Sequence, residues 1–135
     1  MSAVGSNTGV IIVDATIPTA PTLALASDTN ITTDGITSNG AVNVTGLEAG
    51  ATWEYSTDGG TLWSAGSGTS FTLGVGTYVA NAVKVRQTDV AGNVSAAGSN
   101  GSGITVDTAA TVPTLTLTTD TNITTDGITS NGSIN

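Results

Sequence analysis

The chain has 135 residues, with 10 acidic and 2 basic side chains, a formal net charge of −8, and neither His nor Cys. Without Cys there is no disulfide, no thiolate nucleophile and no Cys-ligated metal; without His the usual general base and the commonest metal ligand are absent. The cations are Lys84 and Arg86 alone, too few for the cationic face that nucleic-acid binding requires, and no stretch is long and apolar enough for a membrane-spanning helix.

Apolar residues alternate with polar ones in short runs, which predicts strands and no long amphipathic helix. Leu23 and Leu25 mark a first strand, and a polar segment over 28–40 separates it from a second carrying Val42 and Val44. Trp53 and Tyr55 alternate in a third strand, which turns at Asp58-Gly59-Gly60 and returns through Leu62 and Trp63. Phe71 and Leu73 mark a short strand, Tyr78, Val79, Val83 and Val85 a long one, and Ile104 and Val106 the last. Six or seven strands with a turn signal about every 8–12 residues predict an all-β fold, an immunoglobulin-like β-sandwich of about seven strands.

The sequence also repeats itself. PTLALASDTNITTDGITSNG from Pro21 returns from Pro113 as PTLTLTTDTNITTDGITSNG, 92 positions later, and SAVGSNTGVIIVD from Ser2 returns from Ser95 as SAAGSNGSGITVD, 93 positions later. The one-residue slip lies in the proline-bearing joint after Asp14 and after Asp107. The chain therefore reads as a window on a tandem array. Residues 1–13 are the last strand of a preceding repeat, 14–107 a complete repeat, and 108–135 the first strand and loop of the next.

The acidic residues concentrate in predicted turns and joints: Asp14, Asp28, Asp34, Asp58, Asp89, Asp107, Asp120 and Asp126. Strand order sends Asp28, Asp34, Asp58 and Asp107 to one end of the sandwich, and Asp14, Glu48, Asp89 and Asn93 to the other. Stacked repeats would bring these groups together, where like charges repel unless a cation lies between them. Ca²⁺ suits an all-oxygen set of carboxylates, amide oxygens and carbonyls, whereas zinc and copper favour the missing His and Cys. The alternative is that Asp simply favours turns through hydrogen bonds to nearby backbone. Asp28-x-Asn30-x-x-x-Asp34-Gly35 resembles a calcium loop but departs from EF-hand spacing.

Other motifs carry less chemistry. Ser56-x-Asp58-x-Gly60-x-x-Trp63 fits the Asp-box of sialidase-type propellers, a structural hairpin in which Asp closes the turn and Trp packs beneath it. No glycosidase follows, because Glu48 and Glu54 show no sign of a converging carboxylate pair, and no catalytic residue is expected. Asn30, Asn43, Asn93, Asn100, Asn122 and Asn131 head N-x-S/T triplets that composition alone produces in a chain this rich in Asn, Ser and Thr. Lys84 and Arg86 are expected to meet Glu54 or neighbouring strand carboxylates across the sheet.

The runs GLEAGATWEYSTDGGTLWSAGSG and GTYVANAVKVRQTDVAGNVS, with the joint VDATIPTAPTL, resemble the bacterial immunoglobulin-like repeats of large, type I-secreted RTX adhesins. Asp89-x-Ala91-Gly92-Asn93-x-Ser95 and the Asp28–Asp34 loop carry the resemblance most specifically. It implies an extender: a repeat that stacks end to end on the bacterial cell surface, binds Ca²⁺ near its junctions and holds a terminal adhesive region away from the cell. By position, it makes Asp14, Asp28, Asp34, Asp89 and Asp107 the ligand candidates, with Asn30 and Asn93 beside them in the same loops. The expected partners are adjacent repeats of the same chain, or another copy engaged through the unpaired end strands. The rival expectations are a module binding glycan or a host surface, and a self-assembling fibre subunit.

Overall fold

A computed structural model describes residues 4–118 and 127–128. The chain is all-β, with no helix among the described residues. Ten short strands form: β1 (Thr22–Leu25), β2 (Ile36–Thr37), β3 (Ala41–Thr45), β4 (Thr52–Ser56), β5 (Ser64–Ala65), β6 (Ser70–Thr72), β7 (Gly76–Tyr78), β8 (Lys84–Thr88), β9 (Gly98–Ser99) and β10 (Ile104–Val106). They pair in the orders β1-β3-β6, β2-β10-β7 and β5-β4-β8-β9. Every pairing is antiparallel except that of β2 with β10.

The core is the inward half of each alternating run. Val42, Val44, Trp53, Phe71, Leu73, Val83, Val85, Ile104 and Val106 are all buried, with Leu23, Leu25, Leu47, Tyr55 and Tyr78 packed around them. Tyr55 stacks on Phe71 at 4.3 Å between ring centroids, and Trp53 tilts against the same ring at 6.1 Å. Offset and tilted rings of this kind add to the area they bury. These buried residues come from β3, β4, β6, β8 and β10 and from Leu73 and Val83 beside β6 and β8, all within the segment 14–107.

Three details differ from the sequence pattern. The expected long strand is broken into β7 and β8: Val79 is exposed, and Asn81 takes a positive φ of 65° in the intervening turn. The break is filled by Asn100, a buried residue whose amide accepts from Val83 N at 2.8 Å and donates to Val79 O and Ser102 O. Its side chain thereby replaces the backbone partners that the ladder loses. The polar segment 28–40 contains a strand, β2, recruited by β10 through the register Ile36–Thr105 and Thr37–Val106. Leu62 lies outside any strand and is exposed, and the return strand β5 begins only at Ser64.

The expected opening strand and loop of a further repeat, with Asp120 and Asp126, lie for the most part outside the described residues. Those that are described between Asp107 and Thr118 are exposed, apart from half-buried Leu117.

Candidate metal sites at the two ends of the sandwich

At one end, β3 finishes, β4 begins, and β8 runs into the turn Asp89–Asn93. Asp89 organises that turn: its Oδ1 accepts from the N–H groups of Ala91 and Asn93, both at 2.8 Å, and its Oδ2 accepts from Asn93 Nδ2 at 2.8 Å. The Asn93 amide, foremost, holds the Asp89 carboxyl below its ordinary pKa, and backbone donors add to the effect. Asn93 Nδ2 also donates to Asp14 O at 3.2 Å, which brings the proline joint onto this turn. Asp14, Asp89 and Asn93 therefore come together as the sequence suggests. Asp14 contributes its carbonyl there, while its own Oδ1 accepts from Thr16 N.

The centre of this end is Gln87, which is completely buried. Its Oε1 accepts from Glu48 N at 2.8 Å, and its Nε2 donates to Thr19 O at 2.8 Å and Gly46 O at 3.0 Å. One side-chain amide thus ties the joint to the loop between β3 and β4. Sequence reasoning missed this residue, although Val83, Val85 and Gln87 share one strand face at a period of two. A Gln at the third inward position of such a row is the signal that finds it.

The second group is arranged differently. Asp28 Oδ2 accepts from Gly35 N at 3.1 Å, closing the loop between β1 and β2. Its other oxygen, Oδ1, is buried without a hydrogen-bond partner among the described residues. Asp34 Oδ1 caps Ile36 N at 2.9 Å, and Asn30 sits exposed at a positive φ of 68°. Asp107 lies past the far end of β10, where its N–H donates to Thr37 O at 2.9 Å and its Oδ1 accepts from Ala109 N. Because β2 runs parallel to β10, Asp34 lies at the start of this strand pair and Asp107 beyond its end. Asp58 belongs to the hairpin between β4 and β5. Its carboxylate accepts from Ser56 Oγ, Thr61 N and Leu62 N, and the Leu62 amide contributes most to holding its pKa low.

Each carboxylate thus serves local backbone, as turn-forming Asp does. Among the described residues, no three acidic side chains gather as a group that could hold a metal ion. The Asp58 hairpin has the architecture expected of an Asp-box: Trp63 Nε1 donates to Gly60 O at 3.0 Å, and its ring carries the Arg86 guanidinium at 4.1 Å. Arg86 also meets Glu54 at 2.9 Å, directly across the β4–β8 register, which is the cross-strand ion pair anticipated from sequence. Searches of protein families and of curated proteins give no match to this chain.

Proposed function

We propose that this chain is a piece of a tandem array whose immunoglobulin-like repeats serve as a structural spacer on a bacterial cell surface, extending an adhesive region away from the cell. The observation that carries the reading is the internal repeat of 92 to 93 residues. It is long enough for one complete sandwich, and the segment between its recurrences holds the whole buried core. A spacer needs uniform units, and the near-identical loops after Pro21 and Pro113 supply them, whereas a receptor site needs only one copy.

In this reading, Ca²⁺ stiffens the array, and the extracellular location follows from the adhesin resemblance. The support in this chain is Asp28. A buried carboxylate oxygen without a donor is costly, and a cation satisfies it as well as a hydrogen bond does. Asp28, Asn30, Asp34 and the carbonyls of their loop would supply an all-oxygen set at one level of the sandwich. Asp14, the preceding repeat's counterpart of Asp107, would do so with Asp89 and Asn93 at the junction. Extracellular modules hold Ca²⁺ with Kd of about 10⁻⁴–10⁻³ M, so such sites fill outside a cell and empty inside it.

Thermal unfolding in EDTA, in millimolar Ca²⁺ and in millimolar Mg²⁺ tests this. Saturation at 100 times Kd adds about 2.7 kcal/mol per site, which for a domain of this size raises Tm by about 10 °C or more. The rise should be specific to Ca²⁺ and should vanish in Asp28→Asn. An unchanged Tm in Ca²⁺ would leave the aspartates as turn formers only.

One observation favours a second reading. Ile11 and Val13 occupy the positions of buried Ile104 and Val106 in the repeat, yet they are 71% and 89% exposed. Such a strand can pair with another copy, and that reading requires concentration-dependent oligomers in sedimentation.

A further inference from the structure

Two hydrogen bonds at the ends of the repeat, superimposed through the sequence correspondence, specify how consecutive repeats are joined. At the close of β10, Asp107 donates its N–H to Thr37 O at 2.9 Å, so its amide belongs to the β2–β10 pairing. Asp14 is the counterpart of Asp107 one repeat earlier, directly after Val13, the counterpart of buried Val106. The Asp14 carbonyl, in turn, is taken by Asn93 Nδ2 of the repeat that follows it.

We propose that consecutive repeats share this single Asp, its N–H serving the sheet of the repeat before and its C=O the turn of the repeat after, so that no free linker residue separates them and their ends abut. The inference rests on the tandem-spacer reading and deepens it by naming the contact surface and its occupant, a neighbouring repeat of the same kind.

The rest of the joint behaves as part of the following repeat. Pro18 and Pro21 are buried, and Thr19 O is held by the Gln87 amide. Gly98 approaches the Pro21 carbonyl so closely that no side chain fits between them. Every residue from Val4 to Ile17 is exposed, and within this stretch it is the Asp14 carbonyl that the sandwich holds, through Asn93. The domain therefore grips its incoming chain from Asp14 onward.

The two ends also carry the apolar side chains that an abutment would cover. Ile17 is 67% exposed and Val90 81% exposed at the joint end. At the other end Val75 is 69% exposed, in the turn between β6 and β7, beside the pairing of Gly76 with Val106. Single exposed valines are ordinary on a protein surface. Here they fall on the two faces that the shared Asp brings together.

The first test uses the whole chain in EDTA, by ¹⁵N backbone relaxation. The amides of Ala15, Thr16, Ile17, Thr19 and Ala20 should tumble with the sandwich, with the change to fast motion at or before Val13. In Asn93→Ala the boundary should move downstream, toward Pro18, while Thr19 stays ordered through Gln87. A boundary at Pro18 or later in the unsubstituted chain would overturn the proposal. So would an Asn93→Ala spectrum that is folded and unchanged in motion. If that variant unfolds, the boundary in the unsubstituted chain decides.

The second test joins residues 14–107 directly to residues 15–107, so that Asp107 takes the place of Asp14. Residual dipolar couplings in EDTA should fit one alignment tensor for both repeats, and two Gly inserted before the shared Asp should split them into two. Independent tensors without the insertion would overturn the abutment. Both tests omit Ca²⁺, so failure of the calcium lock and failure of the shared junction are read separately.

Discussion

Gln87 shows how one side chain governs an end of the molecule. Its amide, itself completely buried, satisfies one N–H and two carbonyls from separate segments through part-buried bonds. Replacing it with Ala leaves those groups without partners, and each buried unsatisfied group costs about 1–3 kcal/mol. Gln87→Ala should therefore lower the urea-unfolding free energy by about 1–3 kcal/mol in total, because the three bonds are only part-buried, with Thr19 losing hydrogen-exchange protection first. Asp58 and Asp89 make a prediction about pH. Both carboxyls are held below their ordinary 3.8 by donors present only in the folded state. Folding thus gains from their ionisation above the unfolded pKa and loses that gain as pH falls through the lower folded value. Acid titration should show stability constant near neutrality and declining below about pH 4. Asp58→Asn and Asp89→Asn should each flatten part of that decline.

At the scale of elements, the strands form where alternation is strong and break where a side chain substitutes for the ladder. The β7–β8 interruption depends on Asn100 and on Asn81 in the left-handed region. The β1–β9 contact depends on the absence of a side chain at Gly98, which faces the Pro21 carbonyl. Backbone cannot yield as a side-chain tip can, so Gly98→Ala should destabilise by about 1–3 kcal/mol in chemical denaturation. Gly66 faces the Trp53 ring in the same way. The polar segment 28–40 gains its two-residue strand only because β10 offers an edge; alone it has neither the alternation nor the length of a strand.

At the scale of the molecule, the core of the described residues is closed within 14–107. Residues 14–107 alone should unfold with a free energy within about 0.5 kcal/mol of the full chain, since residues 4–13 and 108–116 are exposed and the described core lies within 14–107. A larger loss would mean that one of the flanks packs on the sandwich. In the proposed array, the same closure would leave stiffness between repeats to come from their ends. In such an array, with the core complete inside each unit, only the joint, the end loops and any cation between them would couple one sandwich to the next.

Period-two alternation and self-similarity are local properties that survive without coordinates, so the class of fold, the inward-facing residues and the register of the internal repeat could be read from residues alone. Leu23, Val42, Trp53, Phe71, Val85 and Ile104 were all legible in this way, as was the pairing of Glu54 with Arg86. The sequence also led to the meeting of Asp89 and Asn93 with the joint. The roles of Gln87 and Asn100 and the recruitment of β2 came only with the closed sheets. These depend on which backbone groups, distant in sequence, are left without partners once the sheets have closed. A buried amide or an orphaned carboxylate oxygen acquires its meaning only from the donors and acceptors that folding places around it.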